Sequence, residues 1–406
     1  MKMNQIKFKS LLFLLFIGFS FTNCSTDDTN NDVDPELPLN VVVIDKNIDS
    51  DTVLKNLLPG VDYEICGSIT VKARLTIEPG VEIVMCAGSS ITIDKDGSIN
   101  AVGSNDLPII FKGKTASPGF WNFLHVNSNN PSNELNHVII SDAGGNNSYS
   151  NASIWVNDNN TGQLTFKNST IKNSKGFGLF VEGIASIPNF SNNTFSNNGD
   201  APIAIPISGI GSLDEASNYA DGNVKNYVDV YSGSMNQPQV VKNINVPYLI
   251  RGTANIKADL KLNPGVRFLM SSGARLDVSA SGSMNAIGTN SSPISIKGEV
   301  DAVGYWSYVH INSNNPLNEF AYVNMKNGGS NSSYSYTSIW VNDNNNGTFI
   351  MTNSSISDSY GWGLYVENGA TMTPPTKAGV ESANTFSTNG TGTNANCTGD
   401  CNVYFP

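Results

Sequence analysis

Eight residues, SIWVNDNN, are written twice in this chain, at 153–160 and at 338–345, an offset of 185 positions. The same offset relates Trp121 to Trp306, His125 to His310, Glu182 to Glu367, and Pro79-Gly80-Val81 to Pro264-Gly265-Val266. GFWNFLHVNSNNP (119–131) answers GYWSYVHINSNNP (304–316), and GFGLFVEG (176–183) answers GWGLYVENG (361–369). Register holds without a gap from Tyr63/Tyr248 to Glu182/Glu367 and then slips. The chain is therefore read as a tandem duplication, and its fold must be one that a single unit can make twice. The units run over 41–200 and 226–395, joined by a Gly/Ser/Asn-rich bridge at 201–225 and followed by a tail at 396–406.

Within each unit, apolar and polar residues alternate over short runs: VEIVM (81–85), SITID (90–94), IIFKG (109–113), FLHVN (123–127), SIWVN (153–157) and LTFKN (164–168). Period two with β-branched enrichment predicts strands. No 3.6-residue apolar stripe stands outside the leader. The strands recur in coils of roughly two dozen residues, and LTFKNSTIKNS followed by PNFSNNTFSNN places Asn168 and Asn192 at matching turns. Asn tolerates a left-handed turn and can bond its amide to the next coil. The fold class predicted is all-β, a right-handed parallel β-helix in tandem duplicate, each coil burying its inward residues on its neighbours. An antiparallel sandwich ranks below it, because Asn-Gly hairpin signals are few and the coil repeat would go unexplained.

Charged residues make up only 14% of the chain, and Asn, Ser, Thr and Gly supply the polarity. MKMNQIKFKS followed by LLFLLFIGFSF reads as a basic segment and a short apolar run, a secretory leader over 1–23 and not a membrane span. Its removal takes away three lysines, so 20 basic residues face 34 acidic ones, a net −14. Such a surface repels nucleic acid and anionic membranes.

FTNCSTDD puts Cys24 directly after the apolar run. This resembles the relaxed lipobox of Bacteroidetes-type bacteria, in which the cysteine becomes the lipidated N-terminus; Asn23 stands where Gly or Ala is usual. Asp27 and Asp28 are similar to the acidic signal that exports such lipoproteins to the cell surface. Residues 24–40 then form the lipidated cysteine and a polar tether, and the implied partner is the outer membrane, through the lipid. An ordinary secreted protein with a stray cysteine is the alternative. The remaining cysteines suit an oxidising compartment. Cys66 and Cys86 lie one coil apart, Cys397 and Cys401 can close a small loop, and neither pair has the companions of a zinc site.

LTIEPGVEIVMCAGSSITIDKDGSINAVGSNDLPIIFKG resembles the β-helix modules of bacterial surface lipoproteins. Those modules carry L-x-I-x-P-G-V, then G-x-I-x-A-x-G-x-x-x-x-P-I-x-F, then G-x-W. The parts stand at Leu75–Val81, Gly97–Phe111 and Gly119–Trp121, and again at Leu260–Val266, Gly282–Ile296 and Gly304–Trp306. The second copy has Ile296 where the Phe falls. The resemblance covers most of the mature chain and implies a pectate-lyase-like solenoid. It implies little about activity, since that fold carries lyases, hydrolases, adhesins and passive stalks alike.

Strand parity sorts the faces. Leu124, Val126, Ile154, Val156, Leu179 and Val181 point inward, so an outward strip reads Phe123/His125, Trp155/Asn157, Phe180/Glu182. It returns as Tyr308/His310, Trp340/Asn342, Tyr365/Glu367. Aromatic faces interleaved with polar groups suit a sugar, whose ring stacks while its hydroxyls take fixed partners. Two strips would then bind a polymer bivalently. The competing readings are aromatics packed beneath a loop such as 142–151, or contact with a surface protein. Trp121 and Trp306, beside glycines, are expected in corners or the core.

Catalytic signatures are weak, and none is assigned. The four arginines, Arg74, Arg251, Arg267 and Arg275, have no Arg in the other copy, and the N-T-D and G-H-G motifs of polygalacturonase-like hydrolases are absent. Asp158 with Glu182, or Asp343 with Glu367, would be the carboxylate pair of a polysaccharide-active enzyme, the alternative function. One carboxylate per NDNN loop makes a weak calcium site, so no metal or cofactor is expected. The favoured expectation is a non-catalytic, adhesin-like scaffold at the cell surface; for the duplicated strip, loop-covered packing ranks first and glycan binding second.

Overall fold

The structure is a computed structural model and describes residues 40–146, 150–393, 397 and 399–406. The leader, Cys24 and most of the tether lie outside the described residues. Period-two stretches form short strands that wind into stacked coils. Adjacent strands in the stack pair in parallel, in sheets of 8, 13, 7, 6 and 6 strands. The chain is thus a parallel β-helix. Among the described residues one short α-helix, Lys377–Ala383, accompanies the strands, capped by Thr376, whose side chain accepts from the Gly379 amide.

The core is a set of inward columns. In the 13-stranded sheet, Ile69, Ile91, Leu124, Ile154, Leu179 and Ile203 pair in succession. All are nearly fully buried. The coil steps along this column are 22, 33, 30, 25 and 24 residues, by subtraction of those paired positions. Two coils reach 30 residues or more because loops lie before the strands Leu124–Val126 and Ile154–Val156. Trp121 and Trp306 are fully buried, and each indole N–H donates at 2.7 Å to a main-chain oxygen, of Ser141 and Lys326 respectively. That bond lets a large polar-edged ring sit in the core without an unpaired donor.

Asn turns hold the corners. Asn168 and Asn192 have φ of 49° and 55°, and their amides ladder from Asn192 to Asn168 to Asn136 at 3.3 and 2.9 Å. A second layer of asparagines is buried: Asn193 accepts from the Ser169 amide at 3.1 Å and donates to the Phe166 carbonyl at 2.9 Å. Asn198, at the next corner of the same coil, and Asn223, one coil later, repeat the arrangement. The Cys66 and Cys86 sulfurs are bonded between neighbouring coils, and those of Cys397 and Cys401 within the last turn.

The bridge at 201–225 belongs to the stack. Ile203–Pro206 pairs with Leu179–Val181 on one side and Val228–Tyr231 on the other, and the latter pairs with Tyr248–Ile250. One sheet therefore runs unbroken from the first copy into the second.

Its membership changes on the way. Val61–Ile65, Glu82–Met85 and Ile109–Gly113 lie in the 8-stranded sheet, but their second-copy counterparts Tyr248–Ile250, Arg267–Met270 and Ile294–Gly298 lie in the 13-stranded one. Likewise Leu124–Val126, Ile154–Val156 and Leu179–Val181 are in the 13-stranded sheet, while Val309–Ile311, Ile339–Val341 and Leu364–Val366 are in the 7-stranded sheet. The second copy is turned by one face of the coil. The bridge, with its 3₁₀ turn at Ile207–Ser212, supplies a part-coil and so advances the face.

Candidate ligand-binding groove

Parallel pairing places outward residues in columns. In the 13-stranded sheet one column runs Thr92, His125, Trp155, Phe180, Ala204, Asp229. Its rings stack: His125 lies 3.9 Å from Trp155 at an interplanar angle of 8°, and Phe123 meets both edge-on. Burial pushes the His125 imidazole down to about 4, against a weaker opposing pull from the Asp94 charge.

Outward does not mean open. Phe123 and Trp155 are only 9% and 7% exposed, Asn157 only 1%. Asn157 closes the NDNN turn by accepting from the Asn159 amide at 2.8 Å. Its Nδ2 and the Trp155 Nε1 both donate to Glu182 Oε2, at 2.8 and 3.0 Å. Asp158 packs against Gly183, where a Cβ would come within 1.9 Å of its carboxylate, so this close approach requires glycine. The first copy thus brings the expected strip together, but Phe123, Trp155, Asn157 and Asp158 act mainly as its packing and its frame.

A groove lies one step further along, with Ala204 and Asp229 at its base only 3% and 7% exposed and Phe177, Phe180, Glu182, Tyr231 and Arg251 half-buried around it. Phe180 pairs with Ala204, and the small side chain leaves a recess between Phe180 and the next coils. The groove there is lined by Phe177, Phe180, Glu182, Ala204, Asp229, Tyr231 and Arg251. Phe177 and Tyr231 flank Phe180 with centroids 6.4 and 6.0 Å away. The Tyr231 hydroxyl donates to the Val181 carbonyl and accepts from the Gly183 amide, so the ring is fixed, and burial raises its ionisation well above the ordinary phenol range. Arg251 Nε donates to Asp229 at 2.6 Å, and a terminal nitrogen donates to the Tyr227 hydroxyl at 3.3 Å. The bond to Asp229 raises the guanidinium further above its already high range.

The second strip is built differently. Tyr308, His310 and Trp340 repeat the ring geometry, with His310 and Trp340 stacked at 4.1 Å and 7°. Tyr308 and Trp340 are 2% and 8% exposed, Asn342 1%. His310 Nδ1 lies 3.4 Å from Asp277, which also takes Arg275. Glu367 accepts from the Asp343 amide at 3.0 Å. Where the first copy has Ala204, the second has Tyr404: its strand pairs with Leu364–Val366, and its ring stacks on Tyr365 at 4.4 Å and 7°. The C-terminal strand fills the position that is recessed in the first copy.

Sequence reasoning reached Phe180 and Glu182 but missed Phe177, Ala204, Asp229 and Tyr231, and it weighed Arg251 only as a catalytic base. The signals were present in the parity of VDVY (228–231) and in the single Ala of IAIP (203–206), both in or next to the stretch read as a bridge. Among the described residues, Glu64, Cys66 and Cys86 form the one trio within metal-binding reach, and its two sulfurs are bonded to each other. No described helix is long and apolar enough to cross a membrane. The chain matches no protein-family model, no curated protein and no solved structure in the comparisons made.

Proposed function

We propose that the protein is a non-catalytic, glycan-binding β-helix displayed at the cell surface. The supporting observation is the groove on the 13-stranded sheet, with an aromatic floor of Phe177, Phe180 and Tyr231 and a rim of Glu182, Asp229 and Arg251. Aromatic faces take the C–H face of a sugar ring, and the rim offers acceptors and a donor for its hydroxyls. The coil is taken as right-handed, the hand that nearly all parallel crossovers adopt. The basic-then-apolar leader, Cys24 and the acidic residues after it support export and lipid anchoring in the manner of the surface lipoproteins that the module motifs resemble.

The carboxylates favour binding over hydrolysis. Glu182 Oε2 accepts two side-chain donors and Asp229 accepts Arg251. Both are already engaged by side chains of the frame, whereas a glycosidase needs two carboxylates poised about the scissile bond. The test is a glycan array read with the full chain beside Phe180→Ala and Arg251→Ala. Binding to a polysaccharide class that each substitution weakens tenfold or more, with circular dichroism unchanged, is the expected result; the size is that of a stacked or charged anchor, about 1.4 kcal/mol or more. No glycan retained by the wild-type chain would refute the reading, and release of reducing or unsaturated ends from a bound polymer would replace it with the enzyme.

A further inference from the structure

The two copies act as an internal comparison for what the groove holds, and the inference below rests on the glycan-binding reading above. Phe180 and Tyr365 occupy matching positions. The next outward position is Ala204 in one copy and Tyr404 in the other, in the same parallel register. Tyr404 shows what fits: one flat six-membered ring, nearly parallel to the platform at 4.4 Å. We infer that the recess over Ala204 is a subsite for a single neutral pyranose, and that the protein carries one such subsite per chain, the second being closed by its own C-terminal strand.

The rim argues for a sugar over an aromatic side chain. A hydrocarbon ring seated on Phe180 would shed water from Glu182 and from the Asp229–Arg251 pair without offering them any further hydrogen bond, and that desolvation is costly. A pyranose carries hydroxyls around its edge and can satisfy them. Glu182 is prepared for this: Trp155 Nε1 and Asn157 Nδ2 hold Oε2, which fixes the carboxylate, while Oε1 takes no hydrogen bond from a described residue. This gives the buried Trp155 and Asn157 a positioning role. Charge sets the class. Two carboxylates face one guanidinium, itself paired with Asp229, in a chain of net charge −11, so uronate or sulfated rings are repelled. Of the rim, the second strip repeats only Glu367, because Val403–Tyr404 is the last strand of its sheet among the described residues and no described strand there supplies counterparts of Asp229, Tyr231 and Arg251.

The experiment is calorimetric titration of the full chain with pentasaccharides of β-1,4-glucose, β-1,4-mannose and α-1,6-mannose, with a galacturonate pentamer as the acidic comparator. At least one neutral pentamer is expected to bind at one site per chain, and the galacturonate pentamer at least tenfold more weakly. Ala204→Tyr, which copies the second strip, abolishes that site. Tyr404→Ala leaves the stoichiometry at one, since it uncovers a platform with Glu367 but without counterparts of Asp229 and Arg251; a second site of equal affinity would overturn the role given to the rim. Neutral binding that survives Ala204→Tyr places the glycan elsewhere and overturns this inference while leaving the general reading standing. No binding by any pentamer, with the array also blank, refutes both. Should Ala204→Tyr lose its native circular dichroism, Phe180→Ala is read instead, and unchanged binding there overturns the proposal.

Discussion

At the residue scale, His125 shows how a stacked column changes a side chain's chemistry. Its ring lies flat on Trp155, and burial holds its pKa near 4, below the ordinary imidazole value of 6.5. The unfolded chain therefore takes up a proton that the folded chain refuses. Between those two values the unfolded state binds more protons, so stability contributed at neutral pH is lost as pH falls from about 6.5 to about 4, by at most about 3 kcal/mol. Urea denaturation at pH 7.0, 5.5 and 4.5 should show the gap between wild type and His125→Gln shrinking over that interval; a constant gap would contradict the assignment. Parity in FLHVN and SIWVN correctly put His125 and Trp155 on the outer face. It could not reveal that they are buried there, because burial comes from rings on other coils and parity reports only the strand's own alternation.

At the scale of one coil, the corners depend on asparagine in two different ways. Asn168 and Asn192 were legible from the matched turn sequences, since a left-handed turn and an amide ladder both favour this residue. Asn193, the residue after the turn, was not: its neighbours in SNNTF look equally polar, and only the fold turns this one inward. Its side chain satisfies the Ser169 amide and the Phe166 carbonyl, both buried. Asn193→Ala strands a donor and an acceptor, so chemical denaturation should show a loss of about 2–4 kcal/mol, well above the change for the more exposed Asn192→Gly. Equal effects at the two positions would contradict the division of labour. The contrast between Ala204 and Tyr404 is a coil-scale feature of the same kind. Neither residue carries a signal alone, and each acquires meaning only from the ring it is paired with on the preceding coil.

At the scale of the whole stack, the repeat announced the architecture, and the alternating runs with coil-sized recurrence specified parallel coils. The repeat also suggested two equal strips acting together along a polymer, and the strand order argues against that equality. The part-coil at 201–225 moves the second strip onto the next face, and Tyr404 closes its end. The length of a bridge is visible in a sequence, but the number of faces it advances depends on which of its residues pair, as Ile203–Pro206 and Asn218–Asp221 do here. On the proposed reading, binding belongs to one groove on the first copy's face. Hydrogen–deuterium exchange of the full chain, with and without a bound neutral oligosaccharide, tests this most directly. The account predicts added protection in segments 177–182, 203–206 and 227–231 and none in 338–343 or 362–367. Matching protection in both sets of segments would contradict it.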